Sequence, residues 1–294
     1  MSDSNLKLLR DRIDKIDQKL QQLLNERADI SIQVKAVKTD KKSKLKPGRE
    51  AQILRSIVGR QSGNFPKTSL IKLWREILSA SVKLQGEFKV AIQSLNDRDI
   101  GINDMVDGVR THFGTNTSIV YLPSIAEVIR SIQLEKCTIG VLAMPTNNQN
   151  FWWIDLVEYL NTLQHSQEKI KIIAKLPIIF NPDNSTEYLI IAKCEPDSSG
   201  NDNTFLTVEA RKELTSGFIQ DHLNTNSLKL KIIADYNGKK KSDYFLYLLL
   251  ANGFIRETDR EFKDLELHSL ENSLDIKILG NYAEPIELEK KDFT

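Results

Sequence analysis

The feature that most limits how this chain can fold is a spacing. Leu9, Ile13, Ile16, Leu20, Leu23, Arg27, Ile30, Val34 and Val37 recur in alternating steps of four and three, the seam of a helix packed along another helix. Eight of the nine are aliphatic and the ninth, inside "QLLNERADISIQV", is an arginine. A guanidinium in such a seam is costly unless an anion pairs with it. Two explanations fit: a structural carboxylate on a partner helix, or a pocket whose anion is a ligand.

The spacing predicts a first helix over roughly residues 5–38, ended by Pro47 and Gly48 in "KTDKKSKLKPG". A second helix is expected from near Arg49 to "RQSGNFP", and a third from about Lys67 to Phe88. Three helices with so long a first member cannot bury that seam within one small monomer, so a helical homodimer is expected. From residue 89 short apolar runs ("KVAIQSL", "TSIVYLP", "CTIGVLAMP", "IKIIAKLPIIF", "EYLIIAKC") alternate with helical segments ("SIAEVIRSIQLE", "WWIDLVEYLNTLQ"), which argues for an α/β domain. After "EPDSSGNDN" the order strand, helix, strand, strand, helix, strand reads as a small ferredoxin-like βαββαβ unit. The expected domains are 1–88, 89–200 and 201–294.

Composition narrows the function. Lys plus Arg is 41 and Asp plus Glu is 40, so no overall charge draws the chain to nucleic acid or to a membrane. The basic loop "KTDKKSKLKPGR" lacks interleaved aromatics. It reads as a solvated connection, or as a local attraction for an anionic substrate. Cys137 and Cys194 form no CxxC, and the four histidines lack ligand spacing, so no metal or cofactor is expected and a reducing compartment fits. "MSDSNLKLL" has no apolar signal region, and "YFLYLLLANGFI" is too short to cross a bilayer and reads as a buried strand. A cytoplasmic protein is expected.

Helix geometry adds to the Arg27 question. Lys38, eleven residues on, shares its face to within about 20°, some 16 Å along the axis. Two long side chains leaning inward could bracket a small dianion. Arg10 lies about 25 Å the other way and about 100° round, out of reach except of a partner's pocket in an antiparallel dimer. On the third helix Ser81 and Gln85 interrupt the apolar stripe Ile71, Trp74, Leu78, Phe88 and point together. They are either core residues bonded to backbone or donors to the same ligand.

"LRDRIDKIDQKLQQLLNERADISIQVKAVK", "KPGREAQIL" and "REILSASVKLQ" resemble the all-helical chorismate mutases, especially the mutase domain fused to bacterial prephenate dehydratases. The resemblance covers about residues 5–88. It implies an intertwined helical dimer that rearranges chorismate to prephenate without a cofactor. By that resemblance Arg27 holds a substrate carboxylate and Arg10 reaches the second from the partner subunit. Lys38 bonds a carboxylate and the ether oxygen, and Gln85 is the second donor to that oxygen. Glu50 positions the ring hydroxyl, Arg49 supports it, and Ser81 contacts a carboxylate.

The remainder resembles a dehydratase and its ACT regulatory domain in eroded form. "HFG", "SIAEVIRSI", "IGVLAMPTNN" and "DLVEYL" look like dehydratase segments in order, and "DIKILGNYAEP" like the last ACT strand. Where that family has a catalytic Thr-Arg-Phe, this chain has Thr186-Glu187-Tyr188. "AIQSLNDRDIGI" stands in place of the family's glycine-rich motif. The charge inversion works against a dianionic substrate, so dehydratase activity is expected to be absent. The alternatives are a bifunctional mutase–dehydratase and a non-catalytic regulatory or binding protein on a mutase scaffold.

Overall fold

The computed structural model describes residues 3–37, 45–94, 102–146, 149–163, 168–180, 186–214, 217, 219, 228–237, 244–271, 274–289 and 292. Three helices come first: α1 (Asp3–Val37), α2 (Pro47–Arg60) and α3 (Lys67–Leu84). Pro47 opens α2, where its missing N–H costs nothing. The third helix ends four residues before the expected Phe88, because Gly86 turns the backbone to φ +145°. Phe88 then leaves the helical stripe altogether. Its ring is buried in the next core, with its centroid 5.1 Å from that of Phe113.

The strands that follow are β1 (Lys89–Gln93), β2 (Ser118–Leu122), β3 (Ile139–Ala143), β4 (Ile170–Leu176), β5 (Ile179–Phe180) and β6 (Tyr188–Lys193). Among them lie α4 (Ile102–Phe113), α5 (Ile125–Gln133) and α6 (Trp152–Thr162). Of these, α4 was not foreseen. Strands β1, β2 and β3 are parallel, and β6 runs antiparallel to both β3 and β4. Residues alternate between two cores, as a period of two demands. Ala91, Leu142, Leu189 and Ile191 pack with α5 and α6, while Val90, Ile92, Val141 and Ile190 pack with α4. Burial on both faces explains why these strands are continuous apolar runs.

The last part contains β7 (Asp202–Arg211), β8 (Leu230–Asn237), β9 (Tyr244–Asn252), α7 (Arg260–Glu271), β10 (Asp275–Ala283) and β11 (Ile286–Glu287). Its strand order, β10-β7-β9-β8, is that of a ferredoxin-like sheet. The helix expected at "ELTSGFIQDHL" falls largely outside the described residues. A parallel contact between β10 and β4 joins both groups into one nine-stranded sheet, β2-β1-β3-β6-β4-β10-β7-β9-β8. The join needs Gly280. Its φ is +143°, and a Cβ there would stand 2.1 Å from the Ile172 carbonyl oxygen.

Helices α2 and α3 dock on this sheet. The Asp197 carboxylate accepts from the backbone N–H groups of Gly48 (3.1 Å) and Arg49 (2.9 Å), capping α2 from about 150 residues away. Arg55 donates to the Ser199 hydroxyl and to the carbonyls of Ser199, Asn201 and Glu284. Among the described residues, α1 packs chiefly on α3. Its seam residues Leu9, Ile13, Ile16, Leu20, Leu23 and Ile30 are 47–60% exposed. Among the described residues, no helix is long and apolar enough to cross a membrane.

The docking gives a prediction with a sign. Alanine has the higher helix propensity, so Gly48→Ala stabilises an isolated α2 by up to about 1 kcal/mol. In the protein its Cβ would meet the Asp197 carbonyl oxygen at 2.1 Å. G48A is therefore expected to destabilise by about 1–3 kcal/mol, and Asp197→Ala by about 1 kcal/mol, both read by urea denaturation.

Candidate anion site on the helical segment

Among the described residues of α1, Arg27 lies on the stretch that is half-buried, with Ala28 and Ser31 beside it. Its Nη1 donates to the Ser81 hydroxyl of α3 at 2.5 Å. Ser81 in turn donates to the Ile77 carbonyl, and Ser31 to the Arg27 carbonyl. No carboxylate among the described residues lies within ion-pair distance of Arg27, which leaves its charge directed at a hydroxyl. Gln85 follows Ser81 by one turn as the half-buried C-cap of α3.

The other expected residues distribute differently. Arg10 is exposed on α1, and Lys38 lies outside the described residues. The Arg49 side chain is exposed and bonds Gln52 at 3.3 Å. The Glu50 carboxylate faces the sheet: its Oε2 accepts from Arg75 Nη1 at 2.6 Å. The structure thus brings together Arg27 and Ser81, with Gln85 near, and holds Glu50 on the inner side of α2.

Arg75 itself was missed. It is 3% exposed, and its Nε also donates to the His112 carbonyl at 2.7 Å. The buried stripe of α3 is Ile71, Arg75, Leu78, Ser79, rotated from the predicted one, with Trp74 only half-buried. The signal was the same as for Arg27: an arginine at apolar spacing.

In the α/β part, Glu187 does not face open space. Its carboxylate pairs with Lys175 at 2.7 Å. His112 is buried, and burial, helped by the Arg75 charge, pulls its pKa well below the ordinary value. A histidine kept neutral in the fold but free to protonate when unfolded loses stability as pH falls below about 6.5. Stability is expected to fall as pH drops below about 6.5, this one group contributing a slope of at most about 1.4 kcal/mol per pH unit. His112→Gln should flatten that slope in denaturation series below that pH.

Comparison with known proteins gives a family match in the helical segment. Residues 9–86 match the family model described as chorismate mutase type II, which bears out the resemblance in the helical segment. A bifunctional chorismate mutase/prephenate dehydratase of Pseudomonas aeruginosa is 30% identical over 150 residues, 49% of this chain and 40% of that protein. One of Aquifex aeolicus is 36% identical over 91 residues, 29% of this chain and 25% of that protein. The chain therefore spans less than half the length of these curated relatives. A solved prephenate dehydratase from Streptococcus mutans superposes with a TM-score of 0.45 at 16% identity, over 69% of this chain and 100% of that one.

Proposed function

We propose that the protein is a homodimeric chorismate mutase, rearranging chorismate to prephenate in aromatic amino-acid biosynthesis. The observation that carries this is Arg27. It sits in an exposed aliphatic seam, it donates to Ser81, and no carboxylate of the described chain balances it. A second copy laid along α1 covers the seam and encloses the guanidinium, so a dianionic ligand becomes its counter-ion. The family match over residues 9–86 supports the choice of ligand.

The chemistry suits the residues. A pericyclic rearrangement needs no nucleophile and no proton transfer. It needs a flexible dianion held in its compact reactive shape and donors at the ether oxygen, where negative charge grows as the C–O bond breaks. Arg27 and Ser81 hold one carboxylate, and the partner's Arg10 holds the other. Lys38 and Gln85 serve the ether oxygen. Glu50, and Arg49 as its support, are left out of this site, because the Glu50 carboxylate is held by Arg75 on the side of α3 away from Arg27.

The α/β and ferredoxin-like parts are read as a dehydratase-like domain without dehydratase activity and an ACT-like domain. What supports the loss is the Thr186-Glu187-Tyr188 sequence, which lacks the arginine of that family; the Glu187 charge itself is balanced by Lys175. The names of the two relatives favour the bifunctional alternative.

Chorismate consumption by the purified protein, with acid-treated and untreated samples assayed for phenylpyruvate, separates these readings. Prephenate should accumulate, with phenylpyruvate only after acid. Arg27→Ala and Lys38→Ala should each lower kcat about 100- to 1000-fold. Phenylpyruvate without acid would establish the bifunctional enzyme. No loss of chorismate would leave a non-catalytic binding protein.

A further inference from the structure

Arg27 and Ser81 meet through a hydrogen bond whose direction follows from counting protons. A serine hydroxyl has one proton to give and lone pairs with which to receive. The Ser81 proton goes to the Ile77 carbonyl, one turn back on α3, at 2.9 Å. Its oxygen accepts from Arg27 Nη1. An ionised carboxylate only accepts, so Ser81, with its proton committed inside α3, has none to give a carboxylate held beside Arg27. The other hydroxyl of the patch, Ser31, is committed in the same way, to the Arg27 carbonyl at 2.9 Å.

What Ser81 does is fix where the guanidinium points. A guanidinium is a rigid planar fork of N–H donors. Nη1 is turned to Ser81, and among the described residues no other group takes an N–H of Arg27. The Nε–Nη2 edge is then presented as two parallel donors, the arrangement that a carboxylate accepts bidentately. A long arginine side chain loses rotamer freedom when it binds a ligand. One already anchored at a single nitrogen has lost part of that freedom beforehand.

Resting on the mutase reading of this patch, we propose that Ser81 is a positioning residue: it helps to hold the substrate carboxylate through Arg27, without touching it. It anchors Nη1 so that the Nε–Nη2 edge meets the carboxylate squarely. A serine that contacts the carboxylate directly, as the family resemblance implies, would behave differently when Arg27 is removed.

The test is a double-mutant cycle on chorismate turnover by the full chain. Ser81→Ala should lower kcat/KM about tenfold, the order of one hydrogen bond to a charged group. Alanine suits a helix, so the variant should fold as the parent, which its thermal unfolding checks. In an Arg27→Ala background the same change should cost less than about twofold, because the group that Ser81 aims is gone. Enzymes commonly accelerate their reactions by about 10⁶-fold or more, so the Arg27→Ala rate stays readable. Ser81→Thr keeps a hydroxyl that can bond the carbonyl one turn back and should recover most of the loss. An equal loss in both backgrounds would show a direct contact and overturn the proposal. Parental activity in the folded Ser81→Ala variant, or no recovery with threonine, would overturn it too. No chorismate turnover by the parent would remove the mutase reading itself, and this role of Ser81 with it.

Discussion

A buried guanidinium holds the two halves of this chain together. Arg75 belongs to α3, takes the Glu50 carboxylate of α2 and donates twice to the His112 carbonyl at the end of α4. That carbonyl is one of those a helix leaves unpaired at its C-terminus, where partial negative charge collects. One cation therefore satisfies a carboxylate and a helix end inside a packed interface. Removing it would strand Glu50, and buried pairs broken on one side cost several kcal/mol.

From that tie follows the division of faces. The inner sides of α2 and α3 are committed to the sheet by Leu54, Ile71 and Leu78, by Asp197 at the α2 N-terminus and by the bonds of Arg55. What remains for α1 is the outer side of α3, too narrow to cover a 35-residue helix. The seam stays in water in the single chain, and Arg27 meets Ser81 at the one place where α1 rests on α3. α3 becomes a wall with a polar feature on each side, Arg27 and Ser81 outside, Arg75 inside.

Much of this was legible in the residues. The four–three spacing gave α1 to within a few positions, and the apolar runs placed the strands because burial on both faces leaves little else. Arg27 and Ser81 stood out as polar breaks in apolar stripes, and they do meet. Arg75 was lost because Trp74, one residue away, fitted a stripe about as well, and only the docking surface decides which face turns in. α4 carries its own pattern, Ile102, Val106, Val109 and Phe113, but charged "NDRD" just before it drew attention to a motif instead. Asp197 could not be found at all. Its partner is a helix start about 150 residues earlier, and the glycine there reads locally as a breaker rather than as room for another backbone. Glu50 was assigned by resemblance alone, which cannot see that Arg75 of α3 has claimed it.

The claim on which the rest hangs is that each site is shared, Arg27 from one subunit and Arg10 from its partner. Two variants, Arg27→Ala and Arg10→Ala, separately depleted in mutase activity, can be mixed after mild dissociation. In a two-fold dimer, half of the re-formed molecules are mixed, and each of these has one intact site of two. Activity should return to about a quarter of the parental value. A mixture no more active than its components would contradict a shared site and return Arg27 to a structural role.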